Sequence, residues 1–352
     1  MLPGLGDSKT KFQVSLGWRI SSADHSYRNN RLNHDFTTLW DPHERLSVLD
    51  VTAQYKLNKR FSVMANLPVV FNKFSMLYPP TGPGKGKHTN QSIEGIGDVT
   101  ILGQGWLLDS EHHPFHNVAL GVGIKIPTGS WDAHSFLPDE TGKNFHRRTA
   151  YPPAIMPGDG GVGLLFSTQG FRQLRNTLPV IHGGTVYGAA SYLINARDTN
   201  GTPSMVSSLG VPVNPYFFSR LTNSVTDSYN TQVGVAVRIP RAGPTSPLRN
   251  ARFRTSINWE GLPSHDLLGA SRGFRQPGYT FSVAPGFVFS HKRDILSIDV
   301  PIVFVRHINP NATLLPGLPL NDEYHSPSPV NFNRQMGLVA PLSIVVRYAR
   351  AI

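Results

Sequence analysis

The chain has 352 residues, of which only 16% are charged, and its 33 basic residues outnumber its 22 acidic residues. Charged residues make up about 25% of an average soluble domain, so this composition argues against an ordinary soluble protein. The basic residues are scattered through predicted turns such as Lys59-Arg60 and Lys292-Arg293. That scatter excludes the basic stripe of a nucleic-acid-binding protein, and we expect these residues to face anionic lipid head groups instead.

No segment approaches the about 18 consecutive apolar residues that a transmembrane helix requires. The N-terminal residues Met1 to Ser8 lack the basic start and apolar core of a signal peptide. We therefore expect the chain to be the mature form of an exported protein. Its 33 glycines and 29 prolines are typical of a chain with many turns, and it contains no cysteine.

Alternation of apolar and polar residues recurs over segments of about ten residues, which is the length of a strand that crosses a bilayer. In 116–127, for example, Val118, Leu120, Val122 and Ile124 alternate with small or polar residues. This pattern predicts twelve strands, in chain order at 11–20, 46–57, 60–72, 97–108, 116–127, 160–171, 184–194, 229–239, 252–261, 278–290, 294–306 and 336–349.

The connections between these strands are of two kinds. Short ones follow the even-numbered strands and long ones follow most odd-numbered strands, including 195–228 and 307–335. An even strand number with long loops on one side is the layout of bacterial outer-membrane barrels. We predict one all-β domain over 1–352, a transmembrane up-and-down antiparallel barrel with both termini in the periplasm. A soluble β-sandwich also alternates, but its strands are nearer five or six residues long.

Aromatic residues provide a separate indication of a membrane barrel. Once the strand directions are assigned, they collect at two levels, as interfacial girdles require. The periplasmic level holds Tyr55, Phe61, Phe253, Phe287, Phe289 and Tyr348, and the outer level holds Phe71, Tyr192, Trp259, Tyr279 and Phe304.

The polar face of the strands predicts the lining of the lumen. Buried charges must pair or meet water, so two interpretations stay open: a plug of salt bridges in a narrow barrel, or a polar pore whose mixed charges sort solutes. The residues predicted on this face are Arg19, Asp50, Gln54, Asn66, Asp98, Gln104, Lys125, Gln232, Arg238, Arg254, Asn258, Glu260, Asp299 and Arg347.

Four prolines lie inside predicted strands: Pro68, Pro285, Pro301 and Pro341. Each removes one backbone donor from the hydrogen-bond ladder, so such positions mark bulges or kinks. Local bulges are one interpretation. The alternative is a gap between strands through which an apolar solute passes sideways into the membrane.

Short phrases in the chain resemble a family of bacterial outer-membrane transporter barrels that includes the meta-pathway phenol-degradation proteins. Glu94-Gly95-Ile96-Gly97-Asp98-Val99 resembles the Gly-Leu-Gly-Asp phrase of that family, and Lys125-Ile126-Pro127-Thr128-Gly129 resembles its Lys-Leu-Pro-Thr-Gly strand end. Gly158-Asp159-Gly160-Gly161 is a weaker match. The resemblance implies a barrel that admits small hydrophobic or aromatic compounds.

Neither a metal site nor an active site is predicted. Most of the 14 histidines fall in predicted loops, including His43 and His88, and no acid or cysteine pattern completes a zinc site. The segment 269–273 matches the G-x-S-x-G pattern, but it lies in a predicted loop with no helix after it, where a nucleophile elbow does not form. We expect no enzyme activity and no cofactor.

The sequence therefore predicts a passive channel in the bacterial outer membrane for small solutes, in contact with outer-membrane lipid and lipopolysaccharide and not with nucleic acid. An alternative of a different class is a structural barrel that binds a protein partner through its loops or periplasmic face. The proline-rich loops 195–228 and 307–335 would then be a docking surface rather than a lid.

Overall fold

A computed structural model describes residues 10–78, 86–109, 111–138, 145–174, 184–204, 221–239, 250–309 and 337–352. Twelve long antiparallel strands form a closed barrel, which confirms the predicted fold class. We number them β1 to β12: Phe12–Ala23, His43–Lys56, Phe61–Ser75, Gln91–Ile96 with Val99–Trp106, His116–Ile126, Gly163–Gln173, Thr185–Asn195, Ser228–Arg238, Ala251–Leu262, Gly278–His291, Asp294–Asp299 with Ile302–Ile308, and Ser343–Ala351.

Each strand pairs with its sequence neighbours, and β1 pairs with β12 to close the wall. In the closing pair, Gln13 lies opposite Ala351 and Ser21 lies opposite Ser343. Closure satisfies the backbone donors and acceptors of every strand, which a segment in lipid must do internally. Among the described residues, no helix is both long and apolar enough to span a membrane.

Alternation along the strands gives the barrel an apolar outside and a polar or small-residue inside. In β5, Val118, Leu120, Val122 and Ile124 are all exposed, whereas Lys125 and the small residues between them are buried. A soluble protein does not expose a continuous apolar face of this kind. An apolar outer face on a closed barrel is the solution for a bilayer, so the chain is a transmembrane barrel of the bacterial outer membrane.

Aromatic rings on the outer face form a continuous row at the outer end. Tyr192, Tyr229, Trp259, Phe281 and Phe304 follow one another across β7 to β11, with centroid separations between 5.0 and 6.5 Å. Three of the five are aromatics predicted for the outer girdle. At the periplasmic level, Phe253 and Phe287 pack edge to face at 5.5 Å.

Two strand predictions need correction. The strand predicted over 336–349 begins at Ser343, because Pro341 cannot donate to the ladder and Gly337–Leu338 pairs with a loop strand instead. The strand predicted over 97–108 starts earlier, at Gln91, and is interrupted at Gly97-Asp98. There the register with β3 shifts by one residue opposite Pro68, which is a bulge.

Hydrogen bonds continue past all four strand prolines. The carbonyls of Pro68, Pro285, Pro301 and Pro341 accept from Gly97, Val300, Ser343 and Val303 on the neighbouring strands, at 2.8 to 3.0 Å. Of these four prolines, Pro68 lies at a bulge, whereas the register continues unchanged past Pro285, Pro301 and Pro341. The hypothesis of a gap in the wall finds no support at these positions.

Short elements fold over the outer end of the barrel. A helix, His34–Trp40, and a 3-10 turn, Pro153–Ile155, belong to the loops after β1 and β5. Small strands in the outer loops are Ser26–Arg28, Arg31–Leu32, Leu77–Tyr78, Lys87–His88, His134–Pro138, Phe145–Ala150, Thr199–Pro203, Thr222–Ser224 and Gly337–Leu338. Residues 205–220 and 310–336, which include part of the first proline-rich loop and most of the second, lie outside the described residues.

Candidate pore lining

The predicted polar residues share the inner face with the buried small residues of the strands. On that face Gln104, Lys125, Arg254 and Asp299 are buried, and Asp50, Gln54, Asn66, Asp98, Gln232 and Asn258 are half-buried. Arg19, Arg238, Glu260 and Arg347 are exposed although they belong to the same face. Arg238 and Glu260 lie near strand ends, whereas Arg19 and Arg347 lie within their strands and border open space inside the barrel.

A cluster of five charges lies across β1, β2, β9, β11 and β12. The guanidinium of Arg254 donates through Nε and Nη2 to the two carboxylate oxygens of Asp299, which is a bidentate pair. Arg347 interacts electrostatically with both of these groups and with Asp50 and Arg19. The cluster contains three cations and two anions, so its formal charge is positive.

Glycines make room for this cluster. Gly17 lies in register with Asp50 on one side and Arg347 on the other, and a Cβ at Gly17 would lie 3.4 Å from Cγ of Arg347. A Cβ at Gly286 would overlap Oδ1 of Asp299. The position of the charged side chains therefore depends on the absence of a Cβ at Gly17 and Gly286.

Two ladders of hydrogen-bonded side chains flank the charges. On β2 and β3, Asn66 donates to Asp50 at 3.3 Å and accepts from Thr52 at 2.8 Å. On β8 to β10, Gln232 donates to Ser256 at 2.8 Å, Ser256 to Asn258 at 3.1 Å, and Asn258 to Ser282 at 3.2 Å. Gln54 donates to Ser62 at 3.1 Å, and Glu260 accepts from Thr280 at 3.5 Å. These hydrogen bonds orient the polar side chains on the inner face of the wall.

The three phrases that carry the family resemblance converge on one site at the outer end. Asp98 lies in the break of β4 and accepts from the amides of Gly129 at 3.0 Å and Asp159 at 3.2 Å. Lys125 lies 3.7 Å from Asp98 and also pairs with Asp159. Gly129 and Gly158 touch through their backbones, with no space for a Cβ on either. Asp98 and Lys125 thus hold the loop after β5, rather than simply lining the wall.

Apolar side chains occupy both ends of the lumen, and the sequence did not predict them there. The outer cluster consists of the buried Trp40, Phe74, Met76 and Ile155, with Phe36, Leu46, Ile93, Tyr151 and Leu338 packed against it. The inner cluster consists of Tyr187, Ala236 and Val288, with Phe171 and Ile295. Phe74 and Tyr187 occupy positions of the polar face, where strict alternation predicts a polar or small residue and therefore no apolar cluster.

The G-x-S-x-G segment is a structural turn. Ser271 is buried, has a φ of 55°, and accepts through Oγ from the amide of Asp266 at 2.8 Å. Asp266 in turn accepts from the buried Arg275 at 2.6 Å and from the amide of Asp227 at 3.0 Å. The serine hydroxyl therefore helps to hold the loop after β9.

His25 and Asp24 form a hydrogen-bonded pair in the loop after β1, outside the strands. The hydrogen bond from the imidazole lowers the pKa of the Asp24 carboxyl below its usual range, against the opposing effect of partial burial. Both side chains are about half exposed, so the pair stabilises the loop little.

Neither a protein-family model nor a curated protein sequence matches the chain. Among solved structures, an outer membrane channel from Pseudomonas putida F1 is similar, with a TM-score of 0.58 and 11% identity over 100% of this chain and 99% of that one. The β domain of a Bordetella autotransporter has a TM-score of 0.44 and 11% identity over 96% and 100% of the two chains. A Pseudomonas aeruginosa FadL homologue has a TM-score of 0.39 and 9% identity over 97% and 90%. At this identity the first similarity shows the fold alone, which is that of a closed outer-membrane β-barrel.

Proposed function

We propose that the chain is a passive outer-membrane channel for small solutes with an apolar or aromatic body. The observation that carries this proposal is the exposure of Arg19 and Arg347 on the inner face of the closed wall. A lumen filled by salt bridges would bury these side chains. The open space beside them supports a polar pore rather than a plug.

The expected solute preference follows from the apolar clusters at the two ends of the lumen, on either side of the charge cluster. A solute entering from outside meets Trp40, Phe36 and Tyr151, and one leaving toward the periplasm meets Tyr187 and Phe171. Aromatic side chains favour flat apolar solutes through stacking and burial. The positive cluster between them favours a solute that also carries a negative group. A small aromatic carboxylate combines both features.

The test uses the purified, folded full chain in planar bilayers and in proteoliposomes. We expect discrete ohmic steps of current, and faster uptake of benzoate than of gluconate, which carries the same charge without the ring. Leu120→Ala, on the lipid-facing side of β5, is the matched control and should leave both measurements unchanged. A heat-modifiable barrel that conducts no current and takes up neither anion would contradict the proposal.

A further inference from the structure

A second site lies outside the lumen, where the loop after β1 meets the loop after β3. Asp41, His43 and His88 form the one group of three or more histidine, aspartate, glutamate or cysteine side chains, among the described residues, whose ligand atoms all lie within 4.8 Å of one another. Oδ1 of Asp41 is 3.4 Å from Nε2 of His43, and Oδ2 is 3.2 Å from Nε2 of His88. The three side chains therefore place their ligand atoms close enough together to bind one ion.

These separations are those of ligands around a tetrahedral ion. Zinc binds imidazole nitrogen and carboxylate oxygen at about 2.0 to 2.1 Å, which places two ligand atoms of a tetrahedron about 3.4 Å apart. Both measured separations lie close to that value. The two histidines lie beside different oxygens of the carboxylate, so rotation of the Asp41 side chain would bring one oxygen to the ion.

The fold positions each donor independently of any ion. Asp41 ends the helix His34–Trp40 with a left-handed φ of 41°, and its amide donates to the carbonyl of Thr37 at 3.0 Å. Pro42 is fully buried behind it, and His43 begins β2 opposite Ser75. Because backbone contacts fix the aspartate and the strand fixes the first histidine, both ligands are oriented in advance.

Ser75 orients the second histidine. Its Oγ lies 3.0 Å from Nδ1 of His88. With the proton on Nδ1 donated to this oxygen, the lone pair of Nε2 faces Asp41. Metal-binding histidines almost always hold their second nitrogen in a hydrogen bond of this kind. His43 and His88 also lie side by side, with ring centroids 5.7 Å apart.

The donor set selects the class of ion. Two imidazoles and one carboxylate suit zinc, copper and nickel, whereas calcium and magnesium take oxygen ligands. All three side chains are between 40 and 55% exposed, so solvent reaches the site and water can complete the coordination. We propose that Asp41, His43 and His88 bind a divalent transition-metal ion, with zinc as the probe, on the outer surface of the barrel.

The ion would add a link between the chain segment Asp41–His43, which joins the helix to the start of β2, and the small hairpin Leu77–Tyr78 with Lys87–His88. Trp40 precedes the aspartate and is part of the outer apolar cluster. Binding would therefore hold that cluster over the mouth of the barrel. The metal site does not depend on the proposed channel function, because the binding test below involves no transport.

The first measurement is titration of the untagged, folded chain with zinc by calorimetry. We expect one saturable site per barrel. Ser75→Ala should weaken binding about tenfold by freeing the orientation of His88, and His88→Ala should weaken it further. His25→Ala is the matched control, because His25 also contacts an aspartate but lacks a third ligand; it should leave the affinity unchanged.

Cobalt provides a second readout that adventitious binding to other histidines does not imitate. Co²⁺ in a tetrahedral site gives strong visible absorption, which should appear with the wild-type chain and be absent with His88→Ala. Heat-modifiable migration checks that each variant is folded, and His88→Gln replaces the alanine variant if that one fails. Equal zinc affinity of wild type and the folded His88 variant, or no tetrahedral cobalt spectrum, would overturn the proposal.

Discussion

At the scale of single residues, the pair Arg254–Asp299 differs from the rest of its charge cluster because both side chains are about nine-tenths buried, whereas Arg19 and Arg347 are exposed. Removing one partner of such a pair leaves the other charge buried and unpaired, which costs far more than the pair gains. Gly286 permits the arrangement, since any side chain there would overlap Asp299.

The first prediction concerns this pair. Asp299→Asn should lower the free energy of unfolding by about 3 kcal/mol, because Arg254 then stays buried without a counter-ion. Urea unfolding in lipid vesicles, followed by tryptophan fluorescence, measures the change. Lys59→Ala breaks the exposed pair Lys59–Glu111 and serves as the control, with no measurable shift of the midpoint expected. An unchanged midpoint for Asp299→Asn would show that water, rather than Asp299, solvates Arg254.

The second prediction concerns the charge selectivity of the pore and depends on Arg347. Because the central cluster has three cations and two anions, the wild-type pore should prefer anions, and Arg347→Glu should change the preference to cations. Reversal potentials in a salt gradient across a planar bilayer measure it. Arg350 on β12 is exposed and belongs to the other face, so Arg350→Glu is the control and should leave the preference for anions intact.

At the scale of elements, the loops fold inward as well as over the outer end. The loop after β5 is held by Asp98 and Lys125, and the helix after β1 contributes Trp40 to the outer cluster. Each attachment is short and specific, so each can be removed separately. Attached loops narrow the mouth, and released loops should widen it.

Release of the loop after β5 is the third prediction. Asp98→Ala removes the acceptor of two backbone amides and the partner of Lys125, which should lower the cost of local opening by about 3 kcal/mol. Limited proteolysis of folded barrels should cut within 127–162 faster than in wild type, and single-channel conductance should rise. Asp132→Ala, in the same loop but exposed, should change neither. Wild-type protease resistance of Asp98→Ala would contradict the holding role.

Release of the helix is the fourth prediction. Trp40→Ala should leave a cavity among Phe74, Met76 and Ile155 and weaken the outer cluster by about 3 kcal/mol. Faster hydrogen exchange over residues 33–42, with unchanged exchange in the wall, would show local loosening. Leu39 is exposed beside it, so Leu39→Ala should leave exchange as in wild type. Equal exchange rates for the Trp40 variant and wild type would show that the helix is held by other contacts.

Much of the wall could be predicted from sequence, because alternation is a local signal that each strand carries by itself. The pattern located all twelve strands, and it assigned Arg254, Asp299 and Lys125 to the polar face of those strands. It did not identify Asp159, because that residue lies in a loop and meets Lys125 only after folding. The apolar clusters were not predicted from the sequence for a similar reason. Phe74 and Tyr187 break the alternation. Phe74 packs with loop residues such as Trp40, and Tyr187 packs with residues of other strands, so neither contact is visible within one strand.

The proposed metal site also depends on contacts that the sequence pattern does not reveal. Asp41 and His43 are close in sequence, but His88 is 45 positions further along. Nothing in the local pattern distinguishes these histidines from others in the loops, and we predicted no zinc site. Their proximity results from the pairing of β2 with β3, which places Ser75 opposite His43 and directs the hairpin after β3 back toward Asp41.

At the scale of the whole molecule, charge and shape act together. The lumen has aromatic clusters at its two ends and a positive group of charges between them, whereas the outer face is apolar between two levels of aromatic rings. Under the proposed function, a solute with a ring and a carboxylate would find both of its parts matched along the lumen. This arrangement is the basis of the proposed solute preference, and the exposure of Arg19 and Arg347 is the basis of the proposed open pore.

The pairing of β1 with β12 has a consequence for the order of the chain. Phe12 accepts a hydrogen bond from the amide of Ile352 at 2.8 Å, so the two ends of the wall meet at one rim as neighbouring hairpin strands do. The strands therefore form a ring in which the starting point is arbitrary. A short linker between these ends, with new ends cut into the turn at Asn58-Lys59, should give a circular permutant that assembles into the same ring.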